Sequence, residues 1–228
     1  MKAVGILVTT AAVLLLVVGL FSYLMTPNLI ERWLATNLRQ EYGLAREPEV
    51  EVSSSFPPKL LLGQVDRIEV HMDRMVQEGI LLRDVRMDLR GVDISLPSLL
   101  RGHLEGENRT AFFIAEVPEA SVNEYLQRHS LGSGGGEIEV RPDEVDYRRV
   151  DPLTGTPASA SLDVRVGGPH TVEVVPERVT VAGVDFPSSL RGLLSYGSWE
   201  LNLGELPFGS KLQSVELSQD ALIVRAAK

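Results

Sequence analysis

The sequence predicts an α+β fold: a curled antiparallel sheet covered by helices, preceded by one N-terminal transmembrane helix. Three observations carry this reading. Apolar and polar residues alternate along two long stretches, as in strands with one buried and one wet face. Two shorter stretches place apolar residues at helical spacing. Residues 3–28 contain no charged side chain.

The uncharged segment is densest from Val4 to Met25, about the length that crosses a bilayer as a helix. A cleaved signal would have a basic start, a shorter apolar core and a small-x-small exit. Here the start is Lys2 alone, and Phe21-Ser22-Tyr23-Leu24-Met25 offers no such exit. An uncleaved anchor is therefore favoured over a secreted, signal-cleaved form. Tyr23 suits the interface, and Lys2 places the N-terminus in the cytoplasm. Residues 1–28 are read as the anchor or signal segment, and 29–228 as a single extracytoplasmic domain.

Leu29–Tyr42 reads as an amphipathic helix. Leu29, Ile30, Trp33, Leu34, Leu38 and Tyr42 share a face, Glu31, Arg32, Arg39 and Glu41 lie elsewhere, and Gly43 is a C-terminal stop. Packing against a core and lying along the membrane both fit it. The period then changes to two. Val50 and Val52 alternate with acids, Ile68, Val70 and Met72 with charged residues, and Val85, Met87 and Leu89 likewise. Glu78-Gly79 reads as a hairpin turn. Beyond Gly91 the apolar set becomes Val92 and Ile94, so the parity flips. A glycine at a flip suggests a bulge, and bent strands suit a curled sheet.

Pro118 is expected to open a second helix ending near His129, with Val122, Tyr125, Leu126 and His129 as its stripe and Glu119 in its first turn. Gly132-Ser133-Gly134-Gly135-Gly136 is too glycine-rich to hold one conformation and reads as a mobile loop. Alternation resumes at Ile138/Val140, Val145/Tyr147, Leu162/Val164/Val166, Val172/Val174 and Val179/Val181. Asp151-Pro152 and Gly167-Gly168-Pro169 punctuate these runs as turns. Pro187–Leu194 is a candidate short helix. Trp199, Leu201 and Leu203 alternate, Leu206-Pro207-Phe208-Gly209 is a loop, and strands at Val215/Leu217 and Leu222/Val224 flank a Ser218-Gln219-Asp220 turn.

Composition excludes several chemistries. There is no cysteine, hence no disulfide, thiolate metal site or cysteine nucleophile. The 31 acids outnumber 22 Lys+Arg, which argues against nucleic acid as a partner. Of these charges only Lys2 lies in residues 1–28. The rest carries 21 basic and 31 acidic residues, a net charge of −10, and charge does not hold it to an anionic membrane. No nucleophile elbow, P-loop, dinucleotide fingerprint or metalloprotease helix is present. His71, His103, His129 and His170 are scattered without partners at ligand spacing. The Asn108-Arg109-Thr110 sequon matters only in a glycosylating host. The expectation is a non-enzyme with no cofactor and no metal.

Several stretches in order carry a resemblance: Pro48-Glu49-Val50-Glu51-Val52, Phe56-Pro57, Leu60-Leu61-Leu62-Gly63, Val65-Asp66-Arg67-Ile68-Glu69-Val70, Leu82 to Val92, Pro176-Glu177-Arg178-Val179, Leu206-Pro207-Phe208-Gly209 and Val215 to Leu222. In this order and spacing the chain resembles the LmeA-like phospholipid-binding family of bacterial envelope proteins, over roughly residues 30–226. The resemblance implies a tubular lipid-binding-like fold, with a strongly curved sheet wrapped around a helix. It also implies phospholipid as partner and a role in envelope lipid or lipoglycan metabolism without a catalytic site. The Gly132–Gly136 loop and the Ser53-Ser54-Ser55 lead depart from the pattern.

The expected function is thus a membrane-anchored, extracytoplasmic phospholipid-binding protein holding acyl chains in an apolar groove. The candidate acyl contacts are Phe112, Ile114, Val122, Tyr125, Leu126, Phe186, Leu193, Leu194, Trp199 and Phe208; each also fits a plain core. The alternative is a non-catalytic interaction module of an envelope assembly complex, with a fully packed core.

Overall fold

A computed structural model of the chain describes residues 28, 30–56, 59, 63–94, 106–129, 136–150, 154–186 and 198–228. The expected membrane span, the candidate helix Pro187–Leu194, the Asp151-Pro152 turn and most of the glycine run lie outside them. Among the described residues no helix is long and apolar enough to cross a membrane.

The architecture is α+β, and every described strand pairing is antiparallel. The single sheet expected from the alternation is corrected to two. One has the order β1-β2-β3-β4-β12-β11, built from β1 (Glu49–Ser53), β2 (Gln64–Gln77), β3 (Ile80–Ile94), β4 (Gly106–Pro118), β11 (Lys211–Ser218) and β12 (Ala221–Ala227). The other runs β10-β8-β7-β6-β5, with β9 on β8. It comprises β5 (Gly136–Val140), β6 (Val145–Val150), β7 (Pro157–Gly168), β8 (Thr171–Val181), β9 (Val184–Phe186) and β10 (Trp199–Asn202). Local period specifies strands, but it does not specify which strands pair. Among the described strands neither sheet closes on itself.

The chain forms two compact units. One holds residues up to His71 with Met87–Ala111; the other holds Met72–Arg86 with Phe112–Lys228. In the first, helix α1 (residues 30–41) buries Ile30, Leu34, Ala35 and Leu38. It ends as its glycine predicts. Gly43 takes φ +60°, and the Leu44 N–H donates back to the Arg39 carbonyl at 3.0 Å. On β1 the Val52 N–H donates to the Glu31 carboxylate of α1 at 3.0 Å. β1 is a sheet edge, so a helix side chain supplies the partner that a further strand would.

The wet face of this unit is a charge ladder. Arg67 donates twice to Asp88, at 3.0 and 2.8 Å, and Arg90 adds a 2.8 Å bond. These guanidinium bonds, Arg67's first, hold the Asp88 carboxyl well below the usual carboxylate range. The Ser53-Ser54-Ser55 lead has a local use. The Ser55 hydroxyl and backbone N–H both donate to Asp66, at 2.5 and 2.7 Å, and hold its carboxyl low.

Glu78 and Gly79 make the β2–β3 turn at φ 49° and 75°, the tight hairpin expected. Gly91 has φ 59° and separates buried Leu89 from buried Val92, so the parity flips there as expected of a bulge or a bend. A second parity flip sits at Asp84, φ 45°, between buried Leu82 and Val85.

In the second unit Pro118 ends β4, pairing with Ala221, instead of opening the helix. Helix α2 is Glu119–His129 and follows without a loop. Gly136 is the first residue of β5, not part of a loop. Gly167 and Gly168 belong to β7, leaving Pro169-His170 as the turn. The expected loop at Leu206–Gly209 contains one 3-10 turn, Pro207–Gly209. The sequon Asn108-Arg109-Thr110 falls inside β4.

Candidate functional site

Helix α2 is the hub of the second unit, and its polar residues place it. The Asn123 amide donates to the Ile138 carbonyl at 2.8 Å and accepts from the Ile138 N–H at 2.7 Å. The Glu119 carboxylate accepts from the Val140 N–H at 2.7 Å. Together they occupy the free edge of β5, as Glu31 does on β1. Ser121, buried, accepts from the Leu81 N–H at 2.7 Å, and Arg128 donates to the Gly79 carbonyl at 2.5 Å. The Tyr125 hydroxyl reaches the Glu200 carbonyl of β10 at 3.3 Å.

These contacts require the second sheet to curl. β5 and β10 are its two edges, four strand spacings or roughly 19 Å apart if flat. One helix of 11 residues bonds to both. The rings of Tyr147 on β6 and Trp199 on β10, three strands away, meet edge-on with centroids 4.9 Å apart. Only a concave face brings them together.

Strand register sorts that face into rows. The deepest has Val140, Val145 and Leu162 side by side, all buried. Next come Ile138, Tyr147, Ala160 and Val179, also buried. The last holds Gly136, Arg149, Ala158 and Val181. So the face is apolar at depth and ends in a row with two very small residues and one cation. Gly136 is required there: a Cβ on it would meet the Tyr147 ring.

At this end lies an open cleft of about 880 Å³, within the range of small-molecule sites. Asn123 and Gln127 of α2, Gly136, Arg149, Ala158 and Thr180 are among its lining residues. Glu137 and Arg148 line it as well, from the wet-face parity of β5 and β6, and Arg148 pairs there with Glu139 at 2.9 Å. Among the described residues no three His, Asp or Glu side chains converge as metal ligands.

The model of one protein family, described as LmeA-like phospholipid-binding, matches residues 24–227. The chain belongs to that family. No curated protein and no solved structure matches it. An LmeA-like chain is expected to offer apolar surface to a phospholipid, so the location of the candidate acyl contacts matters.

The structure gathers some of these residues and separates others. Val122 is buried under α2, with Tyr125 and Leu126 half-buried on the same helix. Tyr125 reaches the carbonyl next to Trp199, so these four form one neighbourhood. Phe186 is half-buried on β9 opposite Val179, and Phe208 is half-buried at φ 58° in the 3-10 turn. Phe112 and Ile114, 45% and 38% exposed, lie on the wet face of β4, while Phe113 and Ala115 face inward. Leu193 and Leu194 lie outside the described residues. None of the eight described candidates is among the cleft's lining residues. Of the residues that line it, those on the inward-facing row, Gly136, Arg149 and Ala158, are small or charged and gave no apolar signal. The signal that finds them is register: Arg149 lies two residues beyond inward-facing Tyr147.

Proposed function

We propose that this LmeA-like protein binds phospholipid through the second unit and is held at the outer side of a cell membrane by residues 1–28. The family match over residues 24–227 carries the reading, and the concave apolar face under α2 supports it. In this proposal the curled sheet acts as the wall of a tubular lipid-binding-like site. Acyl chains lie against Val122, Tyr125, Leu126, Phe186 and Trp199, entering from the open cleft. Each methylene taken out of water contributes about 0.8 kcal/mol, so six contribute about 5 kcal/mol without any ion pair. Its role is in envelope lipid or lipoglycan metabolism or transport, and no catalytic group is assigned.

The test uses the full chain purified in mild detergent. Native mass spectrometry and lipid extraction are expected to recover phospholipid at near one per chain. If none co-purifies and no labelled phospholipid binds, the proposal fails. The buried rows of the concave face are then simply a core, and the interaction-module alternative takes its place.

A further inference from the structure

We infer that the last row of the concave face is a phosphate-binding site, with Arg149 as its anchor and a phospholipid headgroup as its occupant. The inference rests on the phospholipid-binding reading and specifies which part of the lipid sits where.

Arg149 faces inward, in phase with Val145 and Tyr147. It stands between Gly136 on β5 and Ala158 on β7, its cross-strand neighbours. Gly136 on one flank leaves its space to the Tyr147 ring, Ala158 on the other carries only a methyl, and the cleft borders this row. Arg148 also lines the cleft but is tied to Glu139 at 2.9 Å and Asp146 at 3.7 Å. Arg149 is engaged within the protein, and a guanidinium with five N–H donors can keep such a contact and still present a pair of donors to a phosphate. Gln127, four residues beyond Asn123 and so one turn further along α2, adds an amide to the same cleft. The Asn123 amide is committed to the β5 edge and contributes position only.

The order along β6 is the order along a phospholipid. A cation sits at the open end, and Tyr147 and Val145 follow inward, about 14 Å from Arg149 to Val145 at strand rise. A phosphate at Arg149 directs the attached acyl chains toward those apolar rows. Since the protein outside residues 1–28 carries a net charge of −10, the two cations lining the cleft, inward-facing Arg149 and ion-paired Arg148, with one acid, Glu137, are the features that would select an anionic group against the general field.

The test compares the full chain with Arg149→Ala, Arg149→Lys and, as a charge-matched control on the opposite face, Arg165→Ala. The probes are phosphatidate and diacylglycerol carrying the same photoreactive acyl chain, in detergent micelles, and inorganic phosphate as competitor. Wild type is expected to crosslink phosphatidate at β5–β7. Arg149→Ala is expected to lose about tenfold or more of that affinity, as for one charge-assisted hydrogen-bond pair, while diacylglycerol labelling is unchanged. Arg149→Lys should retain part of the phosphatidate affinity, and Arg165→Ala all of it. Equal phosphatidate labelling in wild type and Arg149→Ala overturns the headgroup assignment and leaves the phospholipid-binding reading standing. Labelling by neither lipid in wild type overturns the reading itself. Arg149-dependent binding of inorganic phosphate, with no labelling by phosphatidate, overturns the lipid headgroup as occupant. Unchanged diacylglycerol labelling also shows that Arg149→Ala is folded.

Discussion

Replacing Asn123 with alanine removes two hydrogen bonds with one change. In the native protein its amide donates to the Ile138 carbonyl at 2.8 Å and accepts from the Ile138 N–H at 2.7 Å, satisfying both backbone groups of one residue on a sheet edge. Each neutral bond is worth about 1 kcal/mol net, and orphaning a shielded backbone group costs at least as much. Water can reach part of this edge, so the expected loss is about 2 kcal/mol rather than the sum of two full desolvation penalties. For a chain of this size that lowers the melting temperature by roughly 4–8 °C. The local consequence is sharper than the global one. Glu119 still holds the Val140 N–H at 2.7 Å, so α2 should stay docked at its first turn and loosen one turn later. Amide hydrogen exchange is the assay. Ile138 should lose protection in Asn123→Ala while Val140 keeps most of its own. If Ile138 protection and the melting temperature are both unchanged, the side chain is not what closes the β5 edge, and the account of how α2 is placed is wrong.

Two further outcomes follow from the same geometry. Gly136→Ala puts a Cβ into the Tyr147 ring, which must then leave its edge-on contact with Trp199 at 4.9 Å. A loss of about 1–3 kcal/mol and a changed near-ultraviolet circular dichroism signal are expected; an unchanged spectrum at unchanged stability would refute the packing. Asp66 has its carboxyl held below its ordinary value of 3.8, first by the Ser55 hydroxyl and then by the Ser55 N–H. A depressed carboxyl stabilises the fold above the unfolded value, and that contribution is lost as pH falls through and below it. Ser55→Ala should move the Asp66 titration upward in carbon-13 NMR and flatten the acid limb of the stability curve; an unmoved titration would rule out the serine as cause.

The sequence makes some of this legible and hides the rest for identifiable reasons. A bulge or a bend at Gly91 can be read because two signals coincide, a parity flip and a glycine. Asp84 sits at the same kind of flip, from Leu82 to Val85, but an aspartate marks it, and aspartate is common on any wet strand face. The division into two sheets cannot be read from period at all, since Val172 alternates identically whichever strand lies beside it. The candidate acyl contacts were selected for bulk, which finds Val122 and Trp199 and equally selects Phe112 and Ile114 on the outer face. Bulk is what a packed wall needs; an opening needs its absence. Ala158 borders the opening, Gly136 makes room for the Tyr147 ring beside it, and both become visible only when pairing sets them beside Arg149.

Both helices are positioned by polar side chains on strand edges, Glu31 on Val52 in one unit and Glu119 with Asn123 on β5 in the other. From the sequence these residues read as wet faces and helix starts. The distinction has a functional consequence. Hydrophobic burial is non-directional and scales with area, so a helix held only by its apolar stripe would lose its position when another apolar body entered beneath it. Hydrogen bonds to a strand edge fix register and distance regardless of what fills the space below. In the proposed lipid-binding reading, a helix tethered in this way exchanges side-chain contacts for acyl contacts under Val122 and Leu126 and keeps its place. In that reading the polar clasp on β5 and the apolar face under α2 are separate parts. The Asn123 variant should therefore weaken the retention of bound lipid without changing which lipid is preferred.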